Sequence, residues 1–440
     1  MTLAIVESRA DRASVHVCDH LREHATWQEQ TDDDRDAADG GGTYYRTDGA
    51  ELRSFDDLHL ELDSPAEAFD CDPDLLVFAS RHSGDTGPLL TGHFTGNFGP
   101  AEFGGDDEAL AEACPNALAH LLAAFDEHAP DGYDVGIECT HHGPSTVGCP
   151  SLFAELGSGE AQWEDPAGAE AVARAILDLR GVAPHRERQI VGFGGNHYAP
   201  RFERIVRETS WAVGHVAADW ALDAMGRPAS HREVLDRAFA ASDAEIAVLD
   251  GDHSDLAATL DDLGWHTVSE TWLREADDRS LDLVEAVETE LGPVDDGIRF
   301  GERRDPSFVV VDLPAQLVDA AEAIDPDRVR TIVERATVAF ETENGGSRVG
   351  SAAAVPASGV RESIVEALAA VLETRYDAVT IEDDAVVAEE IAFDPTIARE
   401  VGVPEGPKFG ALASGDPVTI DGEQVTPERV SSRRTREFPI

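Results

Sequence analysis

The chain opens with the apolar run Leu3-Ala4-Ile5-Val6, and from Arg12 to Glu23 apolar residues recur at Val15, Val17, Cys18 and Leu21. The run predicts a short buried strand and the spaced residues a helix, a β-α start suited to a layered α/β domain. From Gln30 to Gly42, Asp32-Asp33-Asp34 and Gly40-Gly41-Gly42 are too polar to pack and predict a surface loop. Alternation at Leu58-His59-Leu60-Glu61-Leu62 predicts a half-exposed strand, with His59 on its polar side and without a role.

Further along, Asp106 to Glu127 has helical periodicity with an acidic first turn and a break or kink at Pro115. Asp165 to Leu179 predicts a helix begun by an Asp N-cap and a first-turn proline. Trp211 to Leu222 reads as an apolar helix carrying His215, a lone histidine of the kind usually satisfied in a core. Helices are expected at Arg232–Ala240 and Leu256–Leu263, with a strand at Ile246–Leu249 between them. This alternation up to Val268 predicts an α/β fold with a mixed, mostly parallel sheet and helices on both faces.

From Glu270 the histidines disappear. Helical segments Leu281–Leu291 and Asp327–Phe340 surround a strand-like Phe308–Val311, with turns at Glu343–Ser347 and at Asp421-Gly422. The expected organisation is therefore a catalytic domain over 1–275 and a smaller α+β extension over 276–440, structural or interactive in role. Arg433, Arg434 and Arg436 read as a solvated basic tail.

Composition changes this picture in one respect. The 440 residues carry 88 acidic against 34 basic side chains, a formal charge of -54, yet 42% are hydrophobic. Lys408 is the only lysine. Disorder needs low hydrophobicity as well as charge, so the acid is a solvated surface. Such a surface suits very high internal salt, where repulsion is screened within a few ångströms, and a halophilic archaeal source is expected. The acidity argues against an ordinary basic nucleic-acid face, although in molar salt phosphate neutralisation is largely lost for every protein, so the net charge does not veto a tRNA partner. Five cysteines without C-x-x-C spacing fit neither a disulfide framework nor a zinc ribbon. With no bilayer-length apolar run and no signal sequence, a reduced, cytoplasmic chain without membrane contact is expected.

The chemistry concentrates in Gly136-Ile137-Glu138-Cys139-Thr140-His141-His142-Gly143-Pro144-Ser145. A carboxylate and two imidazoles within five positions bind metals or pass protons near neutral pH. Three other segments place a histidine just after an apolar run: His82 in Leu75–Ser83, His93 in Leu89–Asn97 and His197 in Ile190–Pro200. Carboxyl ends of strands in an open α/β sheet line one crevice, so a common site is expected. The glycines in Gly192-Phe193-Gly194-Gly195-Asn196 allow backbone N–H groups to approach a ligand oxygen.

Ala79-Ser80-Arg81-His82-Ser83, Thr95-Gly96-Asn97, Glu138-Cys139-Thr140-His141-His142-Gly143-Pro144 and Gly194-Gly195-Asn196-His197-Tyr198-Ala199-Pro200 resemble, in order and spacing, the signatures of the archaeal and plant type of D-aminoacyl-tRNA deacylase. The resemblance covers roughly the first 275 residues. It implies a phosphorylase/peptidyl-tRNA-hydrolase-like fold, D-aminoacyl-tRNA as substrate, hydrolysis of its ester and an association with zinc.

On the residues, Glu138, His141 and His82 or His93 are expected to hold zinc or orient a water. His142 or His197 would transfer a proton, with Glu138 also in the catalytic set. Gly194 and Gly195 would receive the oxyanion, and Asn97 or Asn196 would bond ribose or ammonium, with Ser80 and Arg81 also lining the substrate site. The rival readings are a nucleoside phosphorylase, a zinc-dependent amidohydrolase or a non-enzymatic tRNA-binding module. The sequence leaves the oligomeric state open, a monomer included.

Overall fold

A computed structural model describes residues 1–440. It forms two compact units, Met1–Asp277 and Asp278–Ile440. The first is built on two sheets. Strands β1 (Leu3–Ser8), β2 (Gln28–Asp32), β3 (Gly42–Thr47), β4 (Ala50–Phe55), β5 (Leu75–Arg81), β6 (Leu89–His93), β7 (Asp134–Ile137) and β8 (Ser151–Gly157) form an eight-stranded sheet in the order β2-β3-β4-β1-β5-β8-β6-β7. Pairings β1/β4, β1/β5, β5/β8 and β6/β7 are parallel; β2/β3, β3/β4 and β6/β8 are antiparallel. A second, all-parallel sheet has β9 (Gln189–Gly194), β10 (Ala212–Ala217), β11 (Ile246–Asp250) and β12 (His266–Val268) in the order β10-β9-β11-β12. The mixed, mostly parallel α/β fold is thus present, divided over two sheets.

Helices α1 (Arg12–His24), α2 (Pro115–His128), α3 (Glu160–Trp163) and α4 (Pro166–Asp178) accompany the large sheet. Helices α5 (Pro200–Glu208), α6 (Asp219–Met225), α7 (Arg232–Ser242), α8 (Ser254–Leu263) and α9 (Glu270–Ala276) accompany the small one. Asp11 caps α1 by accepting from Ala13 N, and Asp165 caps α4 by accepting from Ala167 N, each satisfying an orphan first-turn donor. Ala4, Val6, Leu76, Phe78 and Phe153 centre one core, and Val191, Phe193, Leu235, Phe239 and Leu260 another.

Four expectations are corrected. Trp211–Leu222 is not one helix: Ala212–Ala217 is strand β10, buried at every position, and α6 begins only at Asp219. A strand buried on both faces shows no alternation, so its periodicity resembles that of a buried helix. Leu58–Leu62 is not a strand but a 3₁₀ turn over His59–Glu61, and His59 is buried. Pro115 starts α2, where its missing N–H costs nothing, and Asp106–Cys114 is non-helical. The Gln30–Gly42 loop is shorter than expected, because strand β2 runs to Asp32 and pairs with β3.

Glu270, the first residue of α9, is clamped by Arg204 at 2.6 Å and Arg274 at 2.9 Å. The Arg204 hydrogen bond leads in holding its pKa down to about 2, although partial burial opposes it. A carboxylate depressed in the folded state stabilises the fold fully above its unfolded pKa of roughly 4.3 and loses that contribution as pH falls towards 2. Glu270→Gln is therefore expected to lower stability at pH 7 by ~1 kcal/mol, given its exposed partners, and to flatten the decline of the urea midpoint below pH 4.5.

In the second unit, strands Ile298–Phe300, Ala339–Glu343, Arg348–Val355 and Val309–Asp312 form an antiparallel sheet in that order. Helices Ala315–Glu322, Pro326–Ala336 and Val360–Leu372 share a core with it through Leu317, Val333, Phe340 and Leu368. The helix expected over Asp327–Phe340 ends at Ala336, with Phe340 in a strand. Arg433, Arg434 and Arg436 do not form a tail. They lie on strand Ser431–Pro439, paired with Ala385–Phe393, and Arg433 reaches Glu389 at 3.1 Å.

Candidate active site

The site lies on a face of the large sheet rather than along one edge of strand ends. Register places Ser80 and Thr91 on either side of Glu155, and Phe78 and His93 on either side of Phe153. Because β6 runs antiparallel to β8, His93 ends level with the middle of β8, whereas His82 emerges just past the end of β5. His82 lines a pocket of about 380 Å³ with Asp11, His59, Glu138, His141 and His197, and the His93 ring lies 4.2 Å from that of His141. The loop after β7 brings Glu138, His141 and His142; the loop after β9 brings His197.

Two hydrogen bonds hold these loops together across the sheets: Cys139 N donates to His197 O at 2.8 Å, and Thr140 N to Val216 O at 2.8 Å. Thr140 Oγ1 also meets His215 Nδ1 at 2.9 Å, and His215 Nε2 meets Ala111 O at 2.8 Å. His215 is therefore the satisfied core histidine expected, with burial pulling its pKa down to about 4. Gly143 is required here, since a Cβ on it would fall 2.3 Å from Gly105 N where the two loops cross.

Glu138 is the hub. Its Oε2 lies 2.7 Å from His197 Nε2 and 3.8 Å from His141 Nε2, and its Oε1 lies 3.6 Å from His82 Nε2. Oε1 is buried and has no hydrogen-bond partner. Burial works to raise the Glu138 pKa, but the His197 hydrogen bond and the surrounding imidazoles hold it below the ordinary value. His197 shows the complement: burial alone would lower it, yet Cys139 and Glu138 push it up to about 10. Together they form an ion pair in which the carboxylate is buried and the imidazole is partly exposed.

His93, His141 and His142 turn Nδ1 to the carbonyls of Phe94, Cys139 and Gly143 at 3.0, 2.9 and 2.7 Å. With Nδ1 so engaged, Nε2 carries the lone pair that a metal takes. One nitrogen from each of the three lies within 4.8 Å of the others, and His93 Nε2 is buried without a hydrogen-bond partner. Burial first, and neighbouring imidazoles second, pull His141 well below and His142 down to about 3, keeping both neutral. Burial also lowers His93, but Glu155 at 3.5 Å more than reverses this. Glu155 itself is lifted by burial to about 7. Cys139, His141 and His197 form a second close group, but there Cys139 Sγ meets His197 Nδ1 at 3.4 Å and His197 Nε2 meets Glu138, so both partners are already satisfied. Two neutral imidazoles, His141 and His142, beside the orphan Nε2 of His93 offer a set of nitrogens that fits zinc.

Not every expected residue joins this site. The close metal-donor group contains His142, and neither His82 nor Glu138 belongs to it. Asn97 does not line the pocket: its Nδ2 donates to Gly104 O and Asp106 O, tying up its own glycine-rich loop. Asn196 accepts from Tyr198 N at 2.9 Å, an Asx-type turn. Gly195 N donates to Asp219 Oδ1 at 3.1 Å, so a carboxylate occupies the place expected for an oxyanion, while Gly194 abuts Asp250 and His253. Ser80 and Arg81 do line the pocket; Ser80 Oγ and Arg81 N both meet Asp11 Oδ2. Asp11, His59, Cys139 and Glu155 were missed. The pairing of β5, β6 and β8 that gathers Glu155 is not written in local pattern.

The model of the family described as D-aminoacyl-tRNA deacylase matches residues 69–265. A D-aminoacyl-tRNA deacylase from Natronomonas pharaonis is 56% identical over 439 residues, with 99% of each chain covered. The chain belongs to the D-aminoacyl-tRNA deacylase family. The corresponding protein of Haloarcula marismortui is 49% identical over the whole of both chains, and that of Methanoregula boonei 33% identical over 98% of this chain and 96% of its own. A crystal structure of a conserved protein of unknown function is similar at 29% identity and a TM-score of 0.55, covering 62% of this deacylase-family chain and 96% of its own. All the pocket residues from Ser80 to His197 fall within the matched family region, whereas Asp11 and His59 precede it. No helix is long and apolar enough to cross a membrane.

Proposed function

We propose that the protein hydrolyses the ester joining a D-amino acid to the terminal ribose of tRNA, releasing both, with the chemistry at Glu138 and the surrounding histidines. The observation that carries this reading is the buried Glu138 carboxylate, paired with His197 through Oε2 and unpartnered at Oε1, within a chain of this family. Glu138 Oε1 is the acceptor for a proton of the attacking water, and His197 steadies the carboxylate through Oε2. His197, held protonated, is the proton donor to the departing ribose oxygen. His82, anchored through Nδ1 to Ser158 Oγ at 2.9 Å, faces Glu138 Oε1 and fixes the position of substrate or water.

His93, His141 and His142 would hold zinc, which when bound polarises an ester carbonyl and lowers the pKa of water. His142, with its strongly lowered pKa, suits a ligand better than a proton carrier. An aminoacyl ester is already labile, so positioning supplies much of the acceleration.

Single-turnover hydrolysis of D-tyrosyl-tRNA and L-tyrosyl-tRNA in molar KCl tests the reading. The D ester is expected to be lost at least ~100-fold faster, with this loss suppressed by a zinc chelator and restored by added zinc. Equal rates for the two esters would refute the stereospecific reading. Unchanged rates after chelation would keep the hydrolase and remove the metal.

A further inference from the structure

Three large aromatic side chains stand in solvent: Phe103 at 67% exposure, Tyr198 at 36% and Trp220 at 49%. All three gather at the mouth of the histidine pocket. Phe103 lines it, Tyr198 packs its ring 5.1 Å from that of His197 and 6.0 Å from that of His82, and Trp220 lies 6.4 Å from His197. Exposed aromatics carry a cost in solubility, so their convergence on one rim calls for a ligand with flat faces.

The rim is held rigid. Asp219, which begins α6 and precedes Trp220, accepts from Gly195 N at 3.1 Å and donates its own N–H to Gly195 O at 2.9 Å. This double link fixes the loop bearing Tyr198 to the helix bearing Trp220. Beyond Trp220 opens a crevice of about 580 Å³ lined by Asp219, Asp223, Asp252 and Asp255. The nearby guanidinium of Arg201 is already committed to Asp250 at 3.3 Å and Glu270 at 3.4 Å. Carboxylates predominate in the crevice lining, where the one basic side chain, His253, already faces Asp219 at 3.2 Å, and carboxylates accept from ribose hydroxyls and from the exocyclic amines of adenine and cytosine.

We propose that Trp220, with Tyr198 beside it, is a stacking platform for the unpaired 3′-terminal nucleotides of tRNA. This rests on the hydrolase reading above, which puts the terminal ribose in the adjacent pocket. Stacking serves every base because each has a π face, and in molar salt it survives where phosphate contacts do not. The platform thereby answers how a chain of formal charge -54 holds a polyanion.

The test begins with Trp220→Ala, an exposed position whose loss leaves no cavity. The KM for D-tyrosyl-tRNA in molar KCl is expected to rise roughly tenfold or more, with kcat changed less than about twofold, and Trp220→Phe is expected to recover most of the loss. Separately, the uncharged trinucleotide cytidylyl-cytidylyl-adenosine is expected to quench wild-type tryptophan fluorescence, with Trp220→Phe abolishing the quench. Its affinity should vary little between 1 and 3 M KCl. An unchanged KM, a loss in kcat equal to that in KM, or a steep salt dependence of trinucleotide binding would overturn the platform. Trinucleotide binding requires no hydrolysis, so it reads the platform even if the ester assay were to overturn the hydrolase.

Discussion

Replacing His141 by alanine is expected to lower kcat/KM for D-aminoacyl-tRNA by about 10³-fold or more, with the loss in kcat. His141 belongs to both close donor groups in the pocket, and its Nε2 also lies 3.8 Å from Glu138 Oε2. Removing it takes away a donor and leaves His93 Nε2, already without a hydrogen-bond partner, facing an emptied space. Zinc bound per chain, measured by elemental analysis after dialysis, is expected to fall alongside activity. Folding should survive, because the backbone at this point is held by the amides of Cys139 and Thr140 rather than by the imidazole. A variant that keeps its rate within tenfold would place the chemistry elsewhere. Retained metal with lost rate would make His141 a proton-handling or positioning group.

The largest expected loss of stability comes far from the chemistry. Arg53, fully buried on β4, bonds Glu51 Oε1 and Asp32 Oδ2 at 2.7 Å each, lies 3.1 Å from Asp70 and sits 4.0 Å above the ring of Tyr44. Arg53→Met would leave the Glu51 carboxylate, itself fully buried, with Arg46 at 3.3 Å and the Asp70 backbone N–H at 3.3 Å. Stranding a buried charge typically costs about 3–5 kcal/mol, so the first unit should melt roughly 10 °C lower. Molar KCl should not rescue it, since salt screens exposed pairs and not buried ones. The double variant Glu51→Leu with Arg53→Met should recover most of the stability, because a well-packed apolar pair carries no desolvation cost. A single variant as stable as wild type would show that the cluster is already wet.

The sequence made the histidines legible as one site because clustered imidazoles after apolar runs are a chemical signal, independent of exact topology. His82, His93, Glu138, His141 and His197 do converge. Which of them form a close group of donor nitrogens was not legible, because that depends on where each Nδ1 finds a carbonyl. His142 takes its place through a backbone at φ 46, a conformation no spacing rule foretells. Asn97 and Gly195 misled for a common reason: polar and glycine-rich loops satisfy their own backbone before they serve a ligand, and the bonding partners, Gly104 O and Asp219, lie several to many residues away. His59 misled differently, since five alternating residues are too few to separate a strand from a turn when Ser64-Pro65 follows.

The amides of Cys139 and Thr140, which join the loop of one sheet to the other, have a use as natural probes. Their protons are shielded only while the two sheets stay together at this point, so their exchange with deuterated solvent times the opening of the pocket itself. Core amides of β5 and β8 exchange only when the large sheet breaks. The ratio of the two rates measures how often the pocket residues come apart in an otherwise intact molecule, and whether added zinc or salt is what keeps them assembled.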